Sequence, residues 1–179
     1  MKINLSTTVF LLLAASAFSQ IGTRFPSEKK IVIDPVTGQE LTFLTSKPSG
    51  DSKIYPTHPQ WTSDGEWLIF RSNRVKGEAM AVNEKSGEIV QVTQGGFSGA
   101  LSIAQKSMKL YFMREAKEKS MQIVEVNLAK VFEDSKIGKM KPVSAYERIC
   151  GLTPSEMGAS GDMALDADEA RVYFRVGKE

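Results

Sequence analysis

Three stretches of this chain match one another without gaps, and that internal repetition limits the fold more than any other feature. They are Trp61–Phe70 (WTSDGEWLIF), Ile103–Phe112 (IAQKSMKLYF) and Leu165–Phe174 (LDADEARVYF). Each runs from an apolar anchor through a polar turn of about four residues into an aliphatic-aromatic strand ending in Phe. The interval from Phe70 to Phe112 fits the ~40–45-residue period of four-stranded propeller blades. That from Phe112 to Phe174 is one period plus an insertion of about half a blade.

A second element alternates with the first. Asp34-Pro35-Val36-Thr37-Gly38 leads into a strand ending at Leu44-Thr45, and Asn83-Glu84-Lys85-Ser86-Gly87 leads into one ending at Val92-Thr93. The glycine of each turn supplies the positive φ of a tight hairpin. The residues after it alternate in polarity, which predicts an edge strand with one wet face. With Glu78–Val82 as a further strand, residues 55–93 form a four-stranded antiparallel meander. A second unit spans 97–153 through Met121–Val126, with its outer strand near Pro142-Val143 or Ile149–Thr153 and a charged excursion, Leu128–Arg148, that opens with a short helix at 127–133. A partial third unit occupies 160–179. The predicted fold is all-β, an incomplete β-propeller of about two and a half four-stranded antiparallel blades. Strand 34–45 is then an orphan that would close the last blade of a ring. So few blades leave apolar faces uncovered and cannot close. The expectation is an N-terminal part of a longer protein, or self-association through those faces.

The first 19 residues read as a cleaved signal peptide. Met1-Lys2 is a short positive region, Val9–Ala15 is apolar, and Ala17 and Ser19 permit cleavage after Ser19, or after Ala17. The apolar run is too short to span a bilayer, and no cysteine follows it for lipid attachment. The mature chain, 20–179, is expected to be periplasmic or secreted.

Composition removes several functions. The net charge of +2, from 23 basic and 21 acidic residues, leaves no basic stripe for nucleic acid. Nucleotide loops, zinc-type Cys/His spacings and a serine-hydrolase elbow around Ser98 are missing from the sequence. Cys150, the single cysteine, reads as a buried small hydrophobe.

The stretch Pro59–Arg74 resembles the TolB-type propeller repeat at Pro59, Trp61, Asp64, Gly65, Phe70, Ser72 and Arg74, with Ser63 where that repeat has proline. The order of elements over residues 31–115, from Asp34–Gly38 through Asp64-Gly65 to Ile89–Thr93, is similar to the opening of the oligogalacturonate lyases. That resemblance implies a seven-bladed propeller that cleaves short pectin fragments by β-elimination, assisted by a divalent metal such as manganese held by histidines. None of those ligands can be carried over, because His58 is the only histidine. No catalytic or metal-binding residue and no cofactor is therefore assigned within this chain. The parent would be a lyase acting on acidic oligosaccharides; the alternative is a non-catalytic TolB-like propeller that binds protein or cell-wall partners.

Three residues are candidate substrate contacts. His58 lies in the loop entering the innermost strand of the first blade, where propeller ligands commonly sit; the plainer reading is a locally hydrogen-bonded loop residue. Arg71 and Arg74 could grip a uronate carboxylate with their guanidinium forks, although Arg74 also belongs to the repeat pattern. Asp64-Gly65 and Asp168-Glu169 fall at hairpin turns and read as structural. Trp61, Trp67, Phe70, Tyr111, Phe112, Tyr173 and Phe174 read as core. The loops carrying His58, Gln94–Gly99 and Thr153–Asp162 are expected to converge on one face as a funnel.

Overall fold

The structure, a computed structural model, describes residues 20–177. The expected signal peptide lies outside the described residues. In chain order the strands are β1 (Arg24–Phe25), β2 (Lys30–Ile33), β3 (Glu40–Phe43), β4 (Ser52–Lys53), β5 (Trp67–Arg71), β6 (Ala79–Asn83) and β7 (Ile89–Gln91). They continue as β8 (Ser98–Ile103), β9 (Lys109–Glu115), β10 (Met121–Asn127), helix α1 (Leu128–Lys136), β11 (Glu147–Leu152), β12 (Ala159–Leu165) and β13 (Val172–Val176).

Strands β4 to β7 form the first meander and β8 to β11 the second, all antiparallel, while β12 and β13 begin a third. Gly65 (φ 70°) and Gly87 (φ 74°) occupy the turns at which the sequence required a left-handed residue. The outer strand of the second meander is β11; the alternative near Pro142-Val143 is a 3-10 turn over Val143–Ala145. These units make the chain an incomplete β-propeller.

The sheets pack face to face. In the first meander Ile69, Ala79, Ala81 and Val90 point toward the second unit, and Phe70, Met80, Val82 and Ile89 point the other way. Both faces are therefore covered, which is why β6 is buried at every position instead of alternating wet and dry. Leu101, Ile103, Leu110, Phe112, Val124 and Val126 supply the second unit's half of this core. Its opposite face, with Tyr111, Met113 and Ile123, packs on Met163 and Phe174 of the third unit.

Four expectations are corrected. Strand β7 is not an edge: β1 pairs outside it, and Gln91 is fully buried. The 20–25 segment reaches that position because Ile21 enters the core, while Gly22 passes so close to Met140 that a Cβ there would overlap its thioether. The segment 34–45 has one partner, since β3 pairs with β2 in a hairpin that joins none of the other sheets among the described residues. Cys150 is exposed on the outer strand β11, beyond which no further strand pairs among the described residues. Trp61 and Tyr173 are exposed as well, Trp61 being joined to the sheet by a single bridge to Leu68.

The insertion in the second unit becomes α1, which starts one residue later and ends three residues later than expected. Asn127 caps it by accepting the Lys130 N–H at 3.0 Å. Phe132 stacks on Trp67 with ring centroids 4.1 Å apart, and the Ser135 hydroxyl donates to the Gly22 carbonyl at 2.7 Å. A helix drawn from the second unit thus fastens onto the first.

Apolar surface stays open at the two ends of the stack. Ile31, Val32, Ile33, Leu41 and Phe43 of the β2–β3 hairpin are exposed on both of its faces, as is Tyr173 of β13. No helix among the described residues is long and apolar enough to cross a membrane.

Candidate functional site

The three innermost strands share one register, and the departure from it builds the site. Leu101 faces Phe112 and Met163 faces Phe174, as Lys53 faces Phe70 in the first unit. Two pairings further on, Ile103 faces Leu110, Leu165 faces Val172 and Trp61 faces Leu68. A single residue separates these levels in the second and third units, Ser102 and Ala164. In the first unit residues 54–60 stand in that place, so the inner strand leaves the sheet and returns.

This excursion is tied down internally. Ile54 is buried in the core, and the Gln60 carbonyl accepts the Ile69 N–H at 2.9 Å. The Gln60 amide donates to the carbonyls of Tyr55 and His58, each at 2.9 Å. The His58 N–H donates to the Tyr55 carbonyl at 3.0 Å, and the two rings sit 5.4 Å apart.

A cleft of about 210 Å³ lies against the excursion, at the level of Ser102 and Ala164. His58 and Pro59 form one wall, Ser102 and Ile103 of β8 the second, and Ala164 and Leu165 of β12 the third. The turns that follow these strands add Gln105, Asp166 and Glu169. The Ser102 hydroxyl is occupied, donating to the Met163 carbonyl at 2.7 Å and joining the second unit to the third.

Glu169 closes the cleft in an uncommon backbone state. Its φ is 57°, at the repeat position that Gly65 fills in the first unit. A side chain held there costs on the order of 1 kcal/mol. Its carboxylate accepts the Ser107 hydroxyl at 2.7 Å and the Lys106 N–H, spanning to the neighbouring unit's turn. Burial by itself would raise its pKa, but these hydrogen bonds outweigh it and hold the carboxyl below its ordinary value. Asp166 is also lowered, by the Arg171 and Ala170 N–H groups that it accepts.

Of the three residues singled out by sequence, the structure places only His58 in the cleft. Arg71 donates to the Gly99 carbonyl at 2.7 Å and lies over the Phe97 ring, joining the first two units. Arg74 is a buried pairing residue. Its side chain is 5 % exposed, and its guanidinium meets Glu28 at 2.6 Å and also reaches Asp51 and the Ser72 hydroxyl. Asp64 accepts the Thr62 hydroxyl and the Glu66 N–H within its turn, a local role as expected. Residues 94–99 and 153–158 do not line this cleft, which the His58 loop meets at the far ends of β8 and β12. Sequence reasoning missed Ser102, Gln105, Asp166 and Glu169. Glutamate at a repeat position that wants glycine was the available signal for the last.

A separate polar cluster backs the second unit. Glu125 accepts the Tyr111 hydroxyl and an Arg148 N–H, each at 2.8 Å, with Lys109 3.3 Å away. Burial would raise the Glu125 pKa, yet Arg148 and Tyr111 overcome it, so the carboxylate is lowered; burial, together with Glu125, pushes the Tyr111 phenol well above its usual range. Among the described residues no group of three or more His, Cys, Asp or Glu side chains is disposed to hold a metal ion. The residues present do not fit the divalent metal implied by the sequence resemblance.

No family model and no curated protein matches this chain. Solved structures do. An oligogalacturonate lyase in complex with manganese superimposes with a TM-score of 0.64 at 18% identity, over 84% of this chain. The oligogalacturonate lyase of Vibrio parahaemolyticus superimposes with a TM-score of 0.66 at 16% identity, over 86% of this chain. The chain spans 36% of the length of each. At such identity the likeness is one of fold: an incomplete propeller resembling the N-terminal part of an oligogalacturonate lyase.

Proposed function

We propose that this chain is the N-terminal part of an exported, oligogalacturonate-lyase-like propeller that acts on acidic oligosaccharides derived from pectin. The observation that carries the reading is the fold likeness to oligogalacturonate lyases over 84% and 86% of the chain. In β-elimination a base takes the proton from the carbon beside the uronate carboxylate. The electron pair forms a C=C bond and expels the glycosidic oxygen from the next carbon, and that oxygen leaves with a proton. Neutralising the carboxylate lowers the barrier to the first event.

The described residues supply scaffold and one wall. Arg71 and Arg74 hold units together, and His58 faces a cleft on the innermost strands. Metal ligands, base and carboxylate clamp would then belong to further blades packed on the open apolar faces. The apolar run and small-residue pair at 9–19 support export to the periplasm or medium.

The test compares the purified chain with the product of the extended coding sequence on oligogalacturonate, with and without manganese, following the ultraviolet absorbance of the unsaturated product. The extended product should generate it and the chain alone should not. An extended product that is inactive with every divalent metal would refute the enzyme reading and favour a propeller that only binds partners.

A further inference from the structure

Two halves of a propeller unit stand open at opposite ends of the stack. In each complete meander the two inner strands are followed by two outer ones, β6–β7 or β10–β11, which pair along the edge of β5 or β9. The third unit has only its inner half. β12 is fastened to β8 by the Ser102–Met163 hydrogen bond, and the far edge of β13 pairs with no strand among the described residues.

The β2–β3 hairpin is an outer half, because its turn copies the turn of β6–β7. The Asp34 N–H donates to the Gln39 carbonyl and the Gly38 N–H to the Asp34 carbonyl, each at 2.8 Å. In β6–β7 the Asn83 N–H donates to the Glu88 carbonyl at 2.9 Å and the Gly87 N–H to the Asn83 carbonyl at 2.8 Å. The side-chain oxygens of Asp34 and Asn83 each accept the N–H two residues on, from Val36 and Lys85. Gly38 and Gly87 share a φ of 70° and 74°. From β3 the chain passes to β4, the inner strand of a complete unit, as it passes from β7 to β8.

This equivalence sets a register. With Asp34 at the place of Asn83, residues Ile33, Val32 and Ile31 take those of Val82, Ala81 and Met80. With Phe174 at the place of Phe70, Val172 and Tyr173 take those of Leu68 and Ile69. In the first unit Leu68 faces Val82, Ile69 faces Ala81 and Phe70 faces Met80. Transferred to the open halves, Val172 faces Ile33, Tyr173 faces Val32 and Phe174 faces Ile31. Tyr173 and all three β2 residues are exposed apolar side chains that this pairing would cover. One copy cannot make it. Leu44, at the end of the hairpin, packs on the outer face of the first unit, while Val172 and Phe174 pack on the far face of the second. What each end lacks, the opposite end of another copy carries.

We infer that β2 of one copy pairs along β13 of a second copy, so that the hairpin completes the third unit, and that two copies joined at both ends form a closed head-to-tail dimer. Such contacts close into a ring or run on as a filament. Two copies hold ~6 units, within the ~4–8 of closed propellers, whereas one copy holds ~3 and three copies ~9. The inference concerns the chain by itself and stands apart from the lyase reading.

The experiment is sedimentation velocity with site-directed cross-linking of the purified chain. A discrete dimer in concentration-dependent exchange with monomer is expected. Val32→Lys should raise its dissociation constant at least about tenfold with an unchanged circular-dichroism spectrum. Facing residues of an antiparallel pair have Cα atoms ~4.5–5.5 Å apart, within the ~4.4–6.8 Å of disulfides. With Cys150→Ser as background, Val32→Cys and Tyr173→Cys chains prepared separately, then mixed and oxidised with copper phenanthroline, should therefore give a disulfide-linked dimer that neither gives alone. A monomer at all concentrations would overturn the inference, as would trimers, an open-ended series or an indifferent Val32→Lys. So would a mixture that does not cross-link, or Val32→Cys chains that cross-link with themselves, which would mean hairpin-to-hairpin pairing. An inactive extended product would remove the lyase reading and leave the dimer standing; a monomeric chain would remove the dimer alone.

Discussion

Replacing Arg74 with alanine should reverse the pH dependence that Glu28 gives to stability. The Glu28 side chain is 3 % exposed and accepts two N–H groups of Arg74, at 3.2 and 2.6 Å, besides the Ser46 and Lys47 N–H groups. Burial alone would raise the Glu28 pKa, but the Arg74 and backbone hydrogen bonds bring it below its ordinary value. In the intact protein that stabilisation is fully present above pH ~4.5 and is lost as pH falls through the lowered folded value. Without Arg74 the burial cost should prevail and lift the folded pKa above that of the unfolded chain, so the variant loses stability as pH rises. Protonation caps the loss. At about 1.4 kcal/mol per pH unit, a Glu28 forced to stay neutral costs up to ~3 kcal/mol at pH 7 and under ~1 kcal/mol at pH 5. Asp51 loses its partner as well, which places the pH 7 total in the ~3–5 kcal/mol range of broken buried pairs. Urea unfolding followed by tryptophan fluorescence at pH 5 and pH 7 measures both values. A loss under ~1 kcal/mol at pH 7, or an equal loss at the two pH values, would refute the reasoning. In the Glu28→Gln, Arg74→Ala double variant the difference between the two pH values should shrink.

Truncating Phe132 to alanine should cost ~3–5 kcal/mol, and a double-mutant cycle with Trp67→Ala should return a coupling of ~0.5–1.5 kcal/mol, read by thermal unfolding; additive losses would mean that α1 does not hold the first unit. Cys150 should take up one equivalent of maleimide in the native protein, slowly at pH 7 and faster toward pH 9, because burial of its surroundings raises the thiol pKa; mass spectrometry showing label only in denaturant would contradict its exposure. If the open faces of the β2–β3 hairpin drive association, Ile33→Lys with Phe43→Lys should shift the sedimentation profile of the purified chain toward monomer, and an unchanged profile would exonerate the hairpin.

The repeat was legible because its signals are local. A turn glycine, an apolar anchor and an aliphatic-aromatic run follow from hairpin geometry, and the strand pairings Ile103–Leu110 and Leu165–Val172 fall where the gapless match puts them. Buried aromatics on both strand faces also announce sheets packed on two sides. The structural role of Arg74 was half legible, as a member of the pattern. Its partner Glu28 was not, because 46 positions of chain separate them.

By itself, then, the sequence determined the kind of unit, the number of units begun and the places where they turn. Tertiary structure decided which strands are edges, since β1 returns to cover β7 and nothing in the composition of residues 24–25 demands it. It also decided that 54–60 leaves the sheet beside two neighbouring units, and so that His58 and Glu169 line one cleft while Arg71 and Arg74 do not. Periodicity reports which face of a strand is dry. Which distant segment dries it depends on packing that only the assembled chain defines.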